Sequence, residues 1–150
     1  MALNWITHSP TLDGGSFSGD FGKIANRNGV YFAAPSTTDT IITSTNLIDW
    51  TTLYDPSAAL YGEVLYAPIS DVLYVGGACR VLYSTDGGSS WNTTNVPGSC
   101  DSNATLLTED TDGKTWLSWK NGSSGYVGYT ISGGVIQVVD GPDADYTYTS

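Results

Sequence analysis

Short runs of Val, Ile, Leu, Thr and aromatic residues alternate along this chain with clusters of Gly, Asn, Asp, Pro and Ser. Branched and aromatic side chains fit a pleated, half-buried surface, and the small polar residues between them supply turns. The pattern predicts strands near residues 23–26, 30–34, 40–44 and 50–53, then near 63–67, 72–75, 80–84 and 91–94. A third set is predicted near 105–109, 115–119, 126–131 and 135–139. No window sustains a helical period with a cap, so the chain reads as all-β. It divides into three antiparallel four-stranded units, at about residues 20–54, 60–95 and 104–139. Residues 1–7 add one further strand, and residues 141–150 form a tail or arm.

The units share a punctuation mark. Residues 84–91 read Ser84-Thr85-Asp86-Gly87-Gly88-Ser89-Ser90-Trp91. In such a run the hydroxyl and carboxylate can accept hydrogen bonds from turn N–H groups, and the two glycines allow positive φ. Trp91 opens the returning strand and can fold its ring over the turn. Ser44-Thr45-Asn46-Leu47-Ile48-Asp49-Trp50 repeats the run in shortened form, with Asn46 at the acidic position and no glycine pair. Its turn is expected to be the weaker one. Residues 129–137 keep an aromatic lead-in and Gly133-Gly134 but end on Gln137, and Leu3-Asn4-Trp5 looks like the end of another copy. Trp5, Trp50, Trp91 and Gln137 lie 45, 41 and 46 residues apart. That period suits a four-stranded blade, roughly 40–50 residues in known repeats.

The Ser-x-Asp-x-Gly-x-x-Trp run resembles the Asp-box hairpin of sialidase-like β-propellers and of many bacterial and viral surface proteins. The resemblance implies propeller-like packing of the three units. Closed propellers have about 4–8 blades, so the ring is expected to be incomplete or completed by oligomerisation, because bare strand edges invite pairing. Ser44, Asn46, Trp50, Ser84, Asp86, Gly88 and Trp91 are expected to hold their loops together rather than to do chemistry.

Composition narrows the function. The chain carries 15 acidic and five basic residues, a net charge of −10. Lys23, Arg27, Arg80, Lys114 and Lys120 are scattered along it, so no basic patch is expected to track a nucleic acid. A sialidase resemblance would imply an arginine triad, which two arginines cannot supply. Glycoside hydrolysis needs two carboxylates in a cleft, but Asp39, Asp49, Asp71, Asp86 and Asp112 all sit beside turn signals. His8 is the only histidine, which argues against a nucleophilic triad and a zinc site. No catalytic residue, metal or cofactor is therefore expected. Glu109-Asp110-Thr111-Asp112-Gly113 has the core of a calcium loop, yet it lacks the later bidentate glutamate and also reads as a tight turn. Cys79 and Cys100 flank the Asp-box hairpin with Cys79 roughly opposite Val96, where a disulfide is feasible and two free thiols fit equally. No run approaches the length of a membrane span, and Met1-Ala2-Leu3-Asn4 opens no secretory signal.

Two classes of function remain. The compact size, low Lys and Glu content and variant box look like small proteins of tailed-bacteriophage virions, which assemble in the host cytoplasm and work outside it. The expectation is a non-enzymatic virion component, first of all a capsid decoration or cement protein, with homo-oligomer or other virion partners. The alternative is a small oligomeric saccharide-binding lectin or phage tail receptor-binding module. Its candidate ligand-facing aromatics are Trp116, Trp119, Tyr126 and Tyr129.

Overall fold

The computed structural model describes residues 8–57, 60–97, 104–121 and 124–140. Within them the chain is all-β, in three sheets. The first sheet comprises β1 (Thr11–Leu12), β2 (Gly15–Ser16), β3 (Ile24–Arg27), β4 (Val30–Ala33), β5 (Ile41–Ser44) and β6 (Asp49–Tyr54), in the order β2-β1-β6-β5-β4-β3. The second runs from β7 (Leu60–Ala67) through β8 (Val72–Gly77) and β9 (Arg80–Ser84) to β10 (Asn92–Asn95). The third runs from β11 (Thr105–Glu109) through β12 (Lys114–Asn121) and β13 (Ser124–Ile131) to β14 (Gln137–Asp140). All twelve strands expected between residues 23 and 139 are present, their ends moved by no more than three residues.

The first sheet corrects the expectation of uniform four-stranded units. It has six strands, because residues 11–16, which lie outside every expected strand, form a tight hairpin on its outer edge. Asp13 and Gly14 take positive φ at its turn, and β1 runs parallel to β6 with Thr11 opposite Asp49 and Leu12 opposite Trp50. The Asp13 carboxylate fastens it by accepting from the Thr52 N–H at 3.0 Å and the Thr52 hydroxyl at 2.7 Å. A strand of two residues has no periodicity to read, which is why the pattern hid it. The strand expected in residues 1–7 and the tail of residues 141–150 lie outside the described residues.

The sheets pack in chain order. β7 lies against β3 and β4 on one side and against β11 on the other. Phe32, Ala25 and Ile41 of the first sheet meet Leu60, Val64, Leu73, Val75 and Leu82 of the second. Val72, Tyr74 and Val81 on the second sheet's opposite face meet Leu106, Leu117 and Trp119 of the third. The remaining face of the first sheet, with Ala33, Ile42 and Trp50, is covered by Leu12 and Phe21 from the N-terminal segment. Burial on both faces explains why β8 reads as an unbroken apolar run rather than an alternating one. The Lys23 ammonium pairs with Glu63 and donates to the Leu106 carbonyl at 3.1 Å, linking the three sheets near β3, β7 and β11.

Candidate functional site

The Asp-box residues close their turns with their own polar groups. Ser84 Oγ accepts from the Gly88 N–H at 2.8 Å and donates to Asp86 Oδ1 at 2.8 Å. Asp86 also accepts from the Ser90 N–H at 2.9 Å and the Ser90 hydroxyl at 2.6 Å. Those donors, Ser90 hydroxyl first, then its N–H and the Ser84 hydroxyl, hold the Asp86 carboxyl down to about 2. The Trp91 indole N–H donates to the Gly88 carbonyl at 3.1 Å, and the strand begins only at Asn92.

The shortened run builds the same turn, and it is not the sparser one. Asn46 Oδ1 accepts from Ser44 Oγ at 3.1 Å, the Ile48 N–H at 2.9 Å and the Asp49 N–H at 2.8 Å. Its amide nitrogen donates to Asp49 Oδ2 at 2.9 Å, and the Trp50 indole N–H reaches the Leu47 carbonyl at 3.3 Å. A side-chain amide both accepts and donates, so Asn46 gains a contact that a carboxylate cannot make. In the third copy Thr130 stands where Ser44 and Ser84 stand, is equally buried, and donates to the Gly134 carbonyl at 2.9 Å.

Most other acidic side chains near turns are likewise engaged. Asp110 accepts from the Trp116 indole N–H at 2.8 Å and from the Asp112 and Lys114 N–H groups at 2.9 and 3.0 Å, which lowers its pKa, Trp116 first. This is the tight-turn reading of residues 109–113, and no cluster of three metal-ligating side chains occurs among the described residues. Asp71 takes a bidentate contact from Arg27, at 2.8 and 2.7 Å, and the Tyr66 hydroxyl at 2.9 Å. Glu109 reaches the same β7–β8 turn from the other side, accepting from the Ile69 and Ser70 N–H groups at 2.7 and 2.9 Å. One turn of the second sheet is thus gripped by both neighbours. Cys79 is disulfide-bonded, and its carbonyl accepts from the Val96 N–H at 3.0 Å. Cys100, the only other cysteine, lies outside the described residues.

The four candidate aromatics do not form one wall. Trp116 sits opposite Tyr129 and Trp119 opposite Tyr126. Positions three apart on a strand point to opposite faces, so the pairs are separated by the sheet. Trp119 faces the second sheet, is 2% exposed, and stacks on Tyr126 at 5.6 Å. Trp116 and Tyr129 occupy the other face, with ring centroids 5.3 Å apart and the Lys114 ammonium 5.1 Å from the Tyr129 centroid. A depression of about 480 Å³ at the other end of β12 and β13 is lined by Thr105, Ser118, Trp119, Lys120, Gly125, Tyr126 and Val127.

That second face has counterparts in the other sheets. Phe32, Tyr74 and Trp116 each lie on the second strand of their four-stranded meander. Each pairs with the residue just before the turn hydroxyl: Thr43 before Ser44, Tyr83 before Ser84, Tyr129 before Thr130. They are evenly spaced, 42 residues apart. Phe32 is 3% exposed beneath the second sheet, and Tyr74 is fully buried beneath the third. Trp116 therefore lies on the forward face, the side turned toward the next sheet in chain order, and no sheet covers it among the described residues. By alternation Lys114, Ser118, Lys120, Val127 and Ile131 share that face, with Ile131 53% exposed. The even spacing of the three aromatics is a signal the sequence carries, and the box spacing masked it.

Three of the five basic residues are held in ion pairs: Lys23 with Glu63, Arg27 with Asp71 and Lys114 with Asp112. Among the described residues no helix is long and apolar enough to cross a membrane. No protein-family model and no curated protein matches the chain.

Proposed function

We propose that the chain is a non-enzymatic structural component of a virion surface, a capsid decoration or cement protein of the tailed-bacteriophage kind. Its three sheets act as propeller-like blades, and one face is left for assembly. The observation that carries this reading is the forward face of the third sheet. It repeats the positions that the first two sheets bury against a neighbour, and it holds Trp116, Tyr129, Val127 and Ile131. Ile131 is exposed there and the other three are half-buried, and apolar and aromatic surface left in water favours a partner. Asp71, Asp86, Glu109 and Asp110 brace turns, which removes them from acid–base work in a cleft. A disulfide-bonded Cys79 suits a protein that works outside a reducing cytosol.

Particles released by lysis of cells carrying the gene, banded by density, should contain the chain in fixed ratio to the major shell protein. Recovery of the chain only in the soluble fraction overturns the reading. The purified chain should also leave sialyl, galactosyl and glucosyl reporter substrates unhydrolysed.

A second reading, saccharide binding, is favoured by the depression beside Thr105, Ser118, Lys120 and Val127 on the same face as the Trp116–Tyr129 pair. Hydroxyl and ammonium groups near an aromatic face suit a sugar's polar edge and apolar plane. A glycan array separates the two: a specific sugar signal abolished by Tyr129→Ala supports the lectin.

A further inference from the structure

We infer that the forward face of the third sheet holds a neutral oligosaccharide, several sugar units long, laid lengthwise along β12 and β13. The inference rests on the saccharide reading above and names the class of sugar and its course across the sheet. A sugar ring has an apolar plane and a hydroxylated edge. A largely polar sheet face that keeps an aromatic pair half out of water matches both.

The strand register sets this face out in rows. One row runs Thr108, Trp116, Tyr129, Gln137 across four strands, with the two half-buried rings at its centre. The next holds Thr105, Ser118 and Val127, and the one after it Lys120 and Gly125. The Thr105, Ser118 and Tyr129 hydroxyls and the Gln137 amide bond to no other described residue, so polar groups stand open beside the rings and beyond them. The last two rows line the depression of about 480 Å³, inside the roughly 300–1,000 Å³ usual for ligand pockets. Gly125 keeps it open, because a Cβ there would meet nothing within 4 Å.

Tyr129 and Gly125 lie four positions apart on β13, which is about 13 Å along a strand. One sugar ring does not span that distance. A ligand that uses both the rings and the depression is therefore a chain of linked units.

Charge selects a neutral chain. The protein carries a net charge of −10, which repels polyanions. Lys114, the lysine at the rings, is engaged by Asp112 at 3.5 Å and by the Tyr129 ring at 5.1 Å. Lys120 stands two rows away, at the depression. Neither sets a spare positive charge against the aromatic pair.

Isothermal titration with malto-, cello-, manno- and galacto-oligosaccharides of one to six units tests the inference. Affinity for at least one series should rise about tenfold or more from the single sugar to the longest member, and it should not change between low and high salt. Gly125→Phe fills the depression with a residue that suits a strand. It should cut the longest member's affinity about tenfold while keeping the parent's thermal melt. Tyr129→Ala should weaken every member of the series. A parent that binds single sugar and longest member equally, or whose affinity for the longest member survives Gly125→Phe, overturns the lengthwise course and leaves the saccharide reading standing. Salt-sensitive binding of hyaluronate or alginate in place of the neutral series overturns the neutral class and also leaves that reading standing. Binding of none of these sugars at millimolar concentration sinks the reading and the inference together.

Discussion

Ser44, Ser84 and Thr130 occupy the same point of three turns, and each is buried with its hydroxyl bonded inside its own loop. The side chain two residues on decides how firmly the loop closes. Asn46 accepts three hydrogen bonds and donates a fourth, and its tryptophan, Trp50, is only 1% exposed. Asp86 accepts three, and Trp91 is half-buried. Asn46→Ala should therefore lower the melting temperature at least as much as Asp86→Ala, and the two melts measured side by side check it. The sequence pointed the other way because it shows which residue type fills a position and hides the bonds an amide gains from Asp49. Acid should loosen both Asp86 and Asp71, whose carboxyls are each held down to about 2 from an ordinary 3.8. A depressed folded pKa means stability that is present above pH 3.8 and lost as pH falls toward 2. Melting temperatures recorded from pH 5 to about pH 2 should fall through that window, with a shallower fall in Asp86→Asn, which has no proton to take up.

Elements were the most legible level, because alternation of branched and small polar residues marks strands and turns with little help from tertiary contacts. What stayed hidden was anything shorter than a period or dependent on another sheet: the β1–β2 hairpin and the sharing of the β7–β8 turn by Arg27 and Glu109. The β13–β14 turn shows how an element is held from outside. Gly133 takes φ of +77°, its N–H donates to the Tyr74 hydroxyl at 2.8 Å, and its carbonyl accepts from Thr94 Oγ1 at 3.0 Å. A Cβ there would overlap the Tyr83 ring. Gly133→Ala should destabilise by roughly 1–3 kcal/mol from overpacking alone, with further strain from the positive φ. Chemical denaturation should show the loss, and a wild-type midpoint would mean that Tyr83 swings aside freely. At the opposite end of the molecule, removing the buried Trp50 ring with Trp50→Ala should cost about 3–5 kcal/mol, because Phe21 and Leu12 would be left over a cavity.

At the scale of the molecule, the three sheets are unequal in how many neighbours share their load. The second is buried between the other two, so every residue of β8 from Val72 to Gly77 is buried. The first is covered on one face by a sheet and on the other by a short segment clipped on through Asp13. Among the described residues the third is covered by a sheet on one face only. The sequence made the three-fold repetition legible, but not this asymmetry, because burial of a repeat depends on its neighbours rather than on its own residues. Local opening free energy follows buried contacts, and the most enclosed strands exchange their amide hydrogens only through global unfolding. Native-state hydrogen exchange should therefore be slowest at Val72–Gly77 and at its partners in β9, which meet it from Leu73–Ser84 to Gly77–Arg80. The amides of β1 and β2 should exchange first, since two residue pairs hold β2 to β1 and only two more, with the Asp13 clip, hold β1 to β6. β12 and β13 should fall between. Protection that is equal across the three sheets would contradict the unequal burial.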